Sequence, residues 1–190
     1  MISAEDAQSI VLNLAEISSA GERFAIQSCI LSPREDHWVV HSNSEAYVMS
    51  GMLEHCYVGA GAHLVNVVSG AVETVGSAQS WQEFLQDKYD LDAAVGAHYV
   101  IEPSFERADK AALINLRQKL SCSMQHSIAL LLPERRQWLT GRLRILRQAQ
   151  GILRDKGIDT VIALRRDTLS AVALNESADH WDAIASLIRN

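Results

Sequence analysis

The stretch GAGAHLVNVVSGAVETVGSA, residues 59–78, constrains the fold more than any other part of the chain, because it can be read in two incompatible ways. A dinucleotide-binding turn needs G-x-G-x-x-G so that the backbone turns tightly, approaches a pyrophosphate and then packs a helix on a strand. Here the third glycine position is Leu64, and the Lys and Ser/Thr that close a P-loop are absent, His63 and Leu64 succeeding the glycines instead. The residues beyond them are strand-forming: Leu64, Val65, Val67 and Val68, a Ser69-Gly70 turn pair, then Val72, Thr74 and Val75. The segment predicts a β-hairpin, with Gly59 and Gly61 at turn and bulge positions.

Around the hairpin the pattern is mixed. Ser3 is a good N-cap, and Ala4, Ala7, Ile10, Val11, Leu14 and Ile17 recur at helical spacing, predicting an amphipathic helix ending near Gly21. Strands are expected over Phe24–Leu31, His37–His41 and Ala46–Met49. The Ser80–Glu83 capping box starts a further helix. Past about Asp92 helices dominate: Tyr99–Ile101 reads as a short strand, Arg107–Leu120 as a helix, and a second short helix runs through Ile128 to Leu132 and stops at Pro133. A small strand at Trp138-Leu139, a helix from Arg142 to Lys156 closed by Gly157, a strand at Val161–Leu164 and a helix capped by Ser177 complete the reading. The expected architecture is α+β: a small antiparallel sheet with flanking helices over residues 1–95, then a compact α/β sandwich over residues 96–190.

With 190 residues, 48% of them hydrophobic, the chain can bury a real core. No run approaches the roughly 18 apolar residues that span a bilayer, and MISAEDAQSIVLNL does not read as a signal peptide, so no membrane partner and a cytoplasmic location are expected. Cys29, Cys56 and Cys122 are odd in number and widely spaced, as for reduced thiols. The net charge of −6 is unevenly spread. Up to Ala97 thirteen Asp/Glu face Arg23, Arg34 and Lys88, a net −10; from His98 onward fourteen Lys/Arg face ten Asp/Glu, a net +4. The first half is a landing site for a basic partner or simply a solvated acidic face.

Reactive constellations are sparse. His55, Cys56 and His63 could be metal ligands or a Cys–His pair, but a second close ligand pair is missing, and neither a metal nor a cofactor is expected. Asp36-His37 and Asp179-His180 are adjacent, and neighbours in a strand point to opposite faces. The series Arg135, Arg136, Arg142, Arg144, Arg147 and Arg154 would suit a nucleic acid. Only Trp138 offers stacking beside it, and the pI of 5.6 is acidic, so a solvated helix face or a seam against the acidic first unit is preferred and no nucleic-acid partner is expected. Trp38, Trp81, Trp138 and Trp181 read as core anchors.

Two resemblances add to this reading. WVVHSNSEAYVMSG followed by GAGAHLVNVVSGAVETVGSAQSWQEFL resembles the YrhB-like immunity-protein-35 family of bacterial polymorphic toxin systems, through Trp38, Ser42, Tyr47, Gly59, Gly61, Val65, Ser69, Gly70, Val72 and Gly76. Ser69 stands where threonine is usual, and His55-Cys56-Tyr57 is inserted before the glycines. The resemblance covers the first half and implies a non-enzymatic protein that binds and masks a cognate toxin. Glu35, Asp36, Glu45 and Glu54, with Tyr47, are then the expected contact residues for a toxin with a basic surface. Residues 99–164 are similar to the C-terminal domain of the bacterial ribosomal stalk protein, a small α/β sandwich. The glycine- and lysine-bearing turn by which that domain contacts translation factors is here Ser121-Cys122-Ser123-Met124-Gln125, so the likeness carries the fold and not the function. An adaptor docking a cellular partner through the second half is the alternative.

Overall fold

Ser3 opens the first helix as its side chain predicts: its Oγ accepts from the Asp6 amide at 3.1 Å, and the Asp6 carboxylate accepts from the Ser3 amide at the same distance. This helix, α1 (Ala4–Ser18), buries Ala7 and Val11. Its expected end near Gly21 lies outside the described residues, which in this computed structural model are 1–18, 22–168 and 170–189. Among them the chain forms seven α-helices and two four-stranded sheets, a mixed α+β architecture. It divides into two compact units, Met1–Gln86 and Asp87–Asn190.

In the first unit β1 (Phe24–Leu31), β2 (His37–Ser44), β3 (Ala60–Asn66) and β4 (Val72–Gly76) form an antiparallel meander in chain order. Alternation along the strands divides their apolar residues between two faces. Trp38, Val40 and Val65 meet Ala7 and Val11 of α1, and the Trp38 indole N–H donates to the Ile2 carbonyl at 2.9 Å. Val39, Ala62, Leu64 and Val75 lie on the opposite face and are also buried.

Gly61 settles what the glycine-rich stretch is. The β3–β4 register slips between Ala60 and Ala62, and a Cβ at Gly61 would stand 3.2 Å from the Val75 carbonyl oxygen and 3.3 Å from that of Gly76. The residue sits at a bulge where two backbones approach so closely that a side chain would push the facing strand back by a few tenths of an ångström. The hairpin is as expected, but its turn is longer than a Ser69-Gly70 pair and takes in Val67 and Val68. Asn66 Oδ1 accepts from the amides of Val68 and Ser69 at 3.0 and 2.9 Å, so a side chain does the work of a tight backbone turn.

The expected strand at Ala46–Met49 is instead a helix, α2 (Glu45–Ser50). Four residues are too few for periodicity to decide, and the flanks decide it: Ser44 caps the start and Gly51 closes the end.

The next helix, α3 (Trp81–Ala93), opens with the expected capping box, the Glu83 amide donating to Ser80 Oγ and the Ser80 amide to Glu83 Oε2, each at 3.2 Å. The division between units falls inside α3 and not after residue 95. The change of pattern near Asp92 marks the end of this helix.

The second unit contains β5 (His98–Pro103), α4 (Lys110–Leu120), α5 (Met124–Ala129), β6 (Leu139–Thr140), α6 (Leu143–Asp155), β7 (Thr160–Arg165), β8 (Val172–Ala173) and α7 (Trp181–Arg189). The sheet order is β7-β5-β6-β8, with β6–β8 parallel and the other pairings antiparallel. Leu113, Leu116 and Leu120 of α4, Leu146 and Leu153 of α6, and Ile184 and Ile188 of α7 close over Ile101 and Leu139. Trp138 is buried among them and donates its indole N–H to the Leu130 carbonyl; Trp181 packs at the edge of the same core.

Local capping moves several expected ends. Asp109 accepts from the Ala112 amide, so α4 starts at Lys110. Ser123 caps α5 early and it ends at Ala129, Pro133 opening a separate 3-10 turn. Ser177 Oγ bonds to Asn175 Oδ1 and does not cap α7.

Candidate functional site

Two buried polar residues at the end of β2 determine how the β2–β3 connection is displayed. Ser44 Oγ accepts from the Tyr47 amide at 3.1 Å, which starts α2, and donates to the His55 carbonyl. Asn43 grips Tyr57 from both sides: its Oδ1 accepts from the Tyr57 amide at 2.7 Å, and its Nδ2 donates to the Tyr57 carbonyl at 3.2 Å. Burying an amide or a hydroxyl costs several kcal/mol unless it is bonded, roughly 2–7 by transfer scales. Here the bonds go to the backbone of the connection, so its two ends are pinned while many of its side chains face outward. Gly51, in a left-handed conformation with φ +71°, ends α2 by donating to the Tyr47 carbonyl.

Five of the side chains so displayed are large and apolar. Met49 is 81% exposed, Leu53 79% and Val58 87%, and Met52 and Tyr57 are about half exposed. A single exposed leucine is ordinary, but five large apolar residues about half exposed or more within residues 49–58 are not, and they make this connection the candidate interaction surface. Glu45, at the start of α2, and Glu54, in the 3-10 turn Leu53–His55, are exposed on the same connection, and Glu54 stands 3.6 Å from His55 Nε2. Tyr47 is half-buried.

Of the five expected contact residues, Glu45, Tyr47 and Glu54 lie on this connection. Glu35 and Asp36 precede the first residue of β2. The eight residues of that strand separate them from Glu45 by about 25 Å, at ~3.3 Å per residue. Asp36 also serves its own turn, accepting from Ser32 Oγ at 2.7 Å. Glu35 is exposed at φ +58°.

The same unit holds a pocket of about 300 Å3. Leu14, Ala15 and Ser18 line it from the last turns of α1, Phe24, Ser42, His63 and Thr74 from the four strands, and Tyr57 from the connection. The Phe24 and Tyr57 rings meet edge to face, 5.4 Å between centroids. His63 and Thr74 are cross-strand partners, with Nδ1 and Oγ1 3.1 Å apart. Burial, and after it the charge on His41, hold the His63 imidazole below the ordinary value of 6.5.

The other constellations resolve locally. His55, Cys56 and His63 do not converge: Cys56 Sγ accepts from Asn43 Nδ2, His55 sits beside Glu54, and His63 faces Thr74. Among the described residues no three His, Cys, Asp or Glu are grouped to hold a metal ion. Burial raises the Cys29 thiol above its ordinary value, which disfavours the thiolate. Asp36–His37 and Asp179–His180, expected to point apart, touch at 3.0 and 3.1 Å, because neither pair lies wholly within a strand.

Arg142 and Arg144 each reach both Asp87 and Glu176 at 3.0–3.4 Å, and Arg136 pairs with Glu106 at 2.9 Å. Half of the arginine series is therefore engaged inside its own unit. Among the described residues no helix is long and apolar enough to cross a membrane. Scans against protein-family models, the curated proteins and the solved structures find no match to this chain.

Proposed function

We propose that the protein is an immunity protein of the kind its first half resembles: a non-enzymatic, cytoplasmic inhibitor that binds a cognate toxin and masks its active or substrate-binding surface. The observation that carries this reading is the β2–β3 connection, which holds Met49, Met52, Leu53 and Val58 outward on a backbone pinned by Asn43 and Ser44. Burying an aliphatic side chain of this size against a partner is worth about 1.5–3 kcal/mol, and a preformed backbone loses little entropy on binding.

The charge supports a basic partner. Residues 1–86 hold ten Asp/Glu against Arg23 and Arg34, a net −8. Glu45 and Glu54 flank the apolar side chains as a rim that speeds encounter, while Glu35 and Asp36 act only through the longer-range field.

The second reading, an adaptor acting through the second unit, draws on the likeness to the stalk domain. The order α4, a turn at 121–123, α5, α6, β7 supports a stalk-like α/β sandwich. β6, β8 and α7 stand outside that likeness, and no exposed apolar run comparable to residues 49–58 occurs among the described residues of that unit.

Co-expression with the product of the adjacent upstream gene in a susceptible cell tests the proposal. Rescue, with a complex that weakens as salt rises, is the expected result. Leu53→Asp should abolish rescue, weakening the complex by about 2 kcal/mol or some thirtyfold, without lowering the melting temperature. Rescue that survives Leu53→Asp, or turnover of nucleotide or nucleic acid by the pure protein, would overturn it.

A further inference from the structure

The pocket under the last turns of α1 has a different chemistry from the apolar connection. It is a half-open hollow walled by Leu14, Ala15, Phe24 and Tyr57, of which Leu14 and Tyr57 are partly exposed, and its polar groups, Ser42, His63 and Thr74, come from neighbouring strands. The register explains why these three share a face: His63 pairs with Thr74 on one side and with Val40 on the other, and Ser42 is the next residue of β2 on the Val40 face. We infer that this pocket is a binding site for an uncharged aromatic molecule of one or two rings bearing a hydroxyl group.

Size, wall and polar group each limit the ligand. About 300 Å3 is the lower end of the range for small-molecule pockets, which suits a ring or a fused pair. The edge-to-face Phe24–Tyr57 pair offers a ring face and a ring edge against which an aromatic ligand can stack or abut.

Thr74 holds His63 Nδ1 and so fixes the imidazole, leaving Nε2 for a ligand. If Nδ1 donates to Thr74, Nε2 accepts; if Thr74 donates, Nε2–H donates. A hydroxyl serves either tautomer. Among the described residues the lining carries no carboxylate, ammonium or guanidinium group, and the same desolvation that lowers the His63 pKa would penalise a charged ligand. The inference stands whether or not the β2–β3 connection docks a toxin.

Titration of the full-length chain with phenol, indole, benzene and benzoate, followed through the His63 and Tyr57 ring resonances by NMR, is the test. Phenol is expected to shift His63 saturably and to bind more tightly than benzene, and benzoate to leave His63 unmoved. Ala15→Phe, which fills the pocket from the helix, should lower phenol affinity by about tenfold or more. Should that variant fold poorly, Thr74→Val keeps the shape of the wall and is expected to narrow the preference for phenol over benzene. The absence of a saturable His63 shift with both phenol and indole, equal binding of benzoate, or an unchanged phenol preference in Thr74→Val would overturn the inference.

Discussion

The two units differ in where they leave apolar side chains and charges exposed. In the second, α4, α6 and α7 turn leucine and isoleucine inward over β5 and β6, and many of the charges close on one another. Glu102, nearly buried, is held by two 2.7 Å bonds from Arg165, and Arg142 and Arg144 share Asp87 and Glu176. In the first, methionine, leucine and valine face outward over residues 49–58, and ten acidic residues meet only two arginines. The lesson is that burial of polar groups can serve display. Asn43 and Ser44 lie inside so that Met49, Leu53 and Val58 can stay outside.

Truncating a core leucine breaks this contrast most strongly. Leu153→Ala, at a fully buried position of α6, is expected to cost about 3 kcal/mol of unfolding free energy in urea, while binding through the β2–β3 connection, measured below the transition, is retained. If the toxin affinity fell in step with stability, the separation of roles between the units would fail.

A buried polar change in the first unit should lower binding as well as stability. Asn43→Ala removes its bonds to both backbone groups of Tyr57 and to the Ser44 amide, and is expected to cost about 1–3 kcal/mol. Amide hydrogen exchange at Tyr57 should accelerate, and toxin affinity should drop although Asn43 itself is only 8% exposed. Unchanged exchange at Tyr57 would show that the connection is held by something else.

The smallest effect is a pH dependence. His63 has a folded-state pKa below its ordinary 6.5, so as pH falls the unfolded chain binds the proton first. Stability from this group is therefore full above about pH 6.5 and declines on acidification below it. Urea midpoints across that range should show the decline in the wild type and a flatter profile in His63→Gln.

Elements with strong local signals were legible in the sequence. The Ser3 N-cap, the Ser80–Glu83 capping box, the extent of β1 and the hairpin glycines all arise from residues within a few positions of one another. Short elements were not. Ala46–Met49 alternates no more like a strand than a helix, and only Ser44 and Gly51 at its flanks tell them apart. β8 is two residues that pair with β6 from far along the chain, with no periodicity to read.

The acidic residues of the candidate surface could be named from sequence. Their division into two groups could not, since it depends on the length of β2 between Asp36 and Glu45. A signal for the apolar display was present in Met49, Met52 and Leu53 lying beside a glycine and outside any hairpin. The pocket had none, because its walls come from one helix, four strands and a loop.

Calorimetric titration of the full-length chain with the purified product of the adjacent upstream gene, wild type against Leu53→Asp, at low and high salt, tests the central claim most directly. The expected result is a tight wild-type complex that weakens as salt rises and a loss of about thirtyfold in Leu53→Asp at either salt, with both proteins melting together. Equal affinity of the two proteins, or a wild-type affinity indifferent to salt, would contradict it.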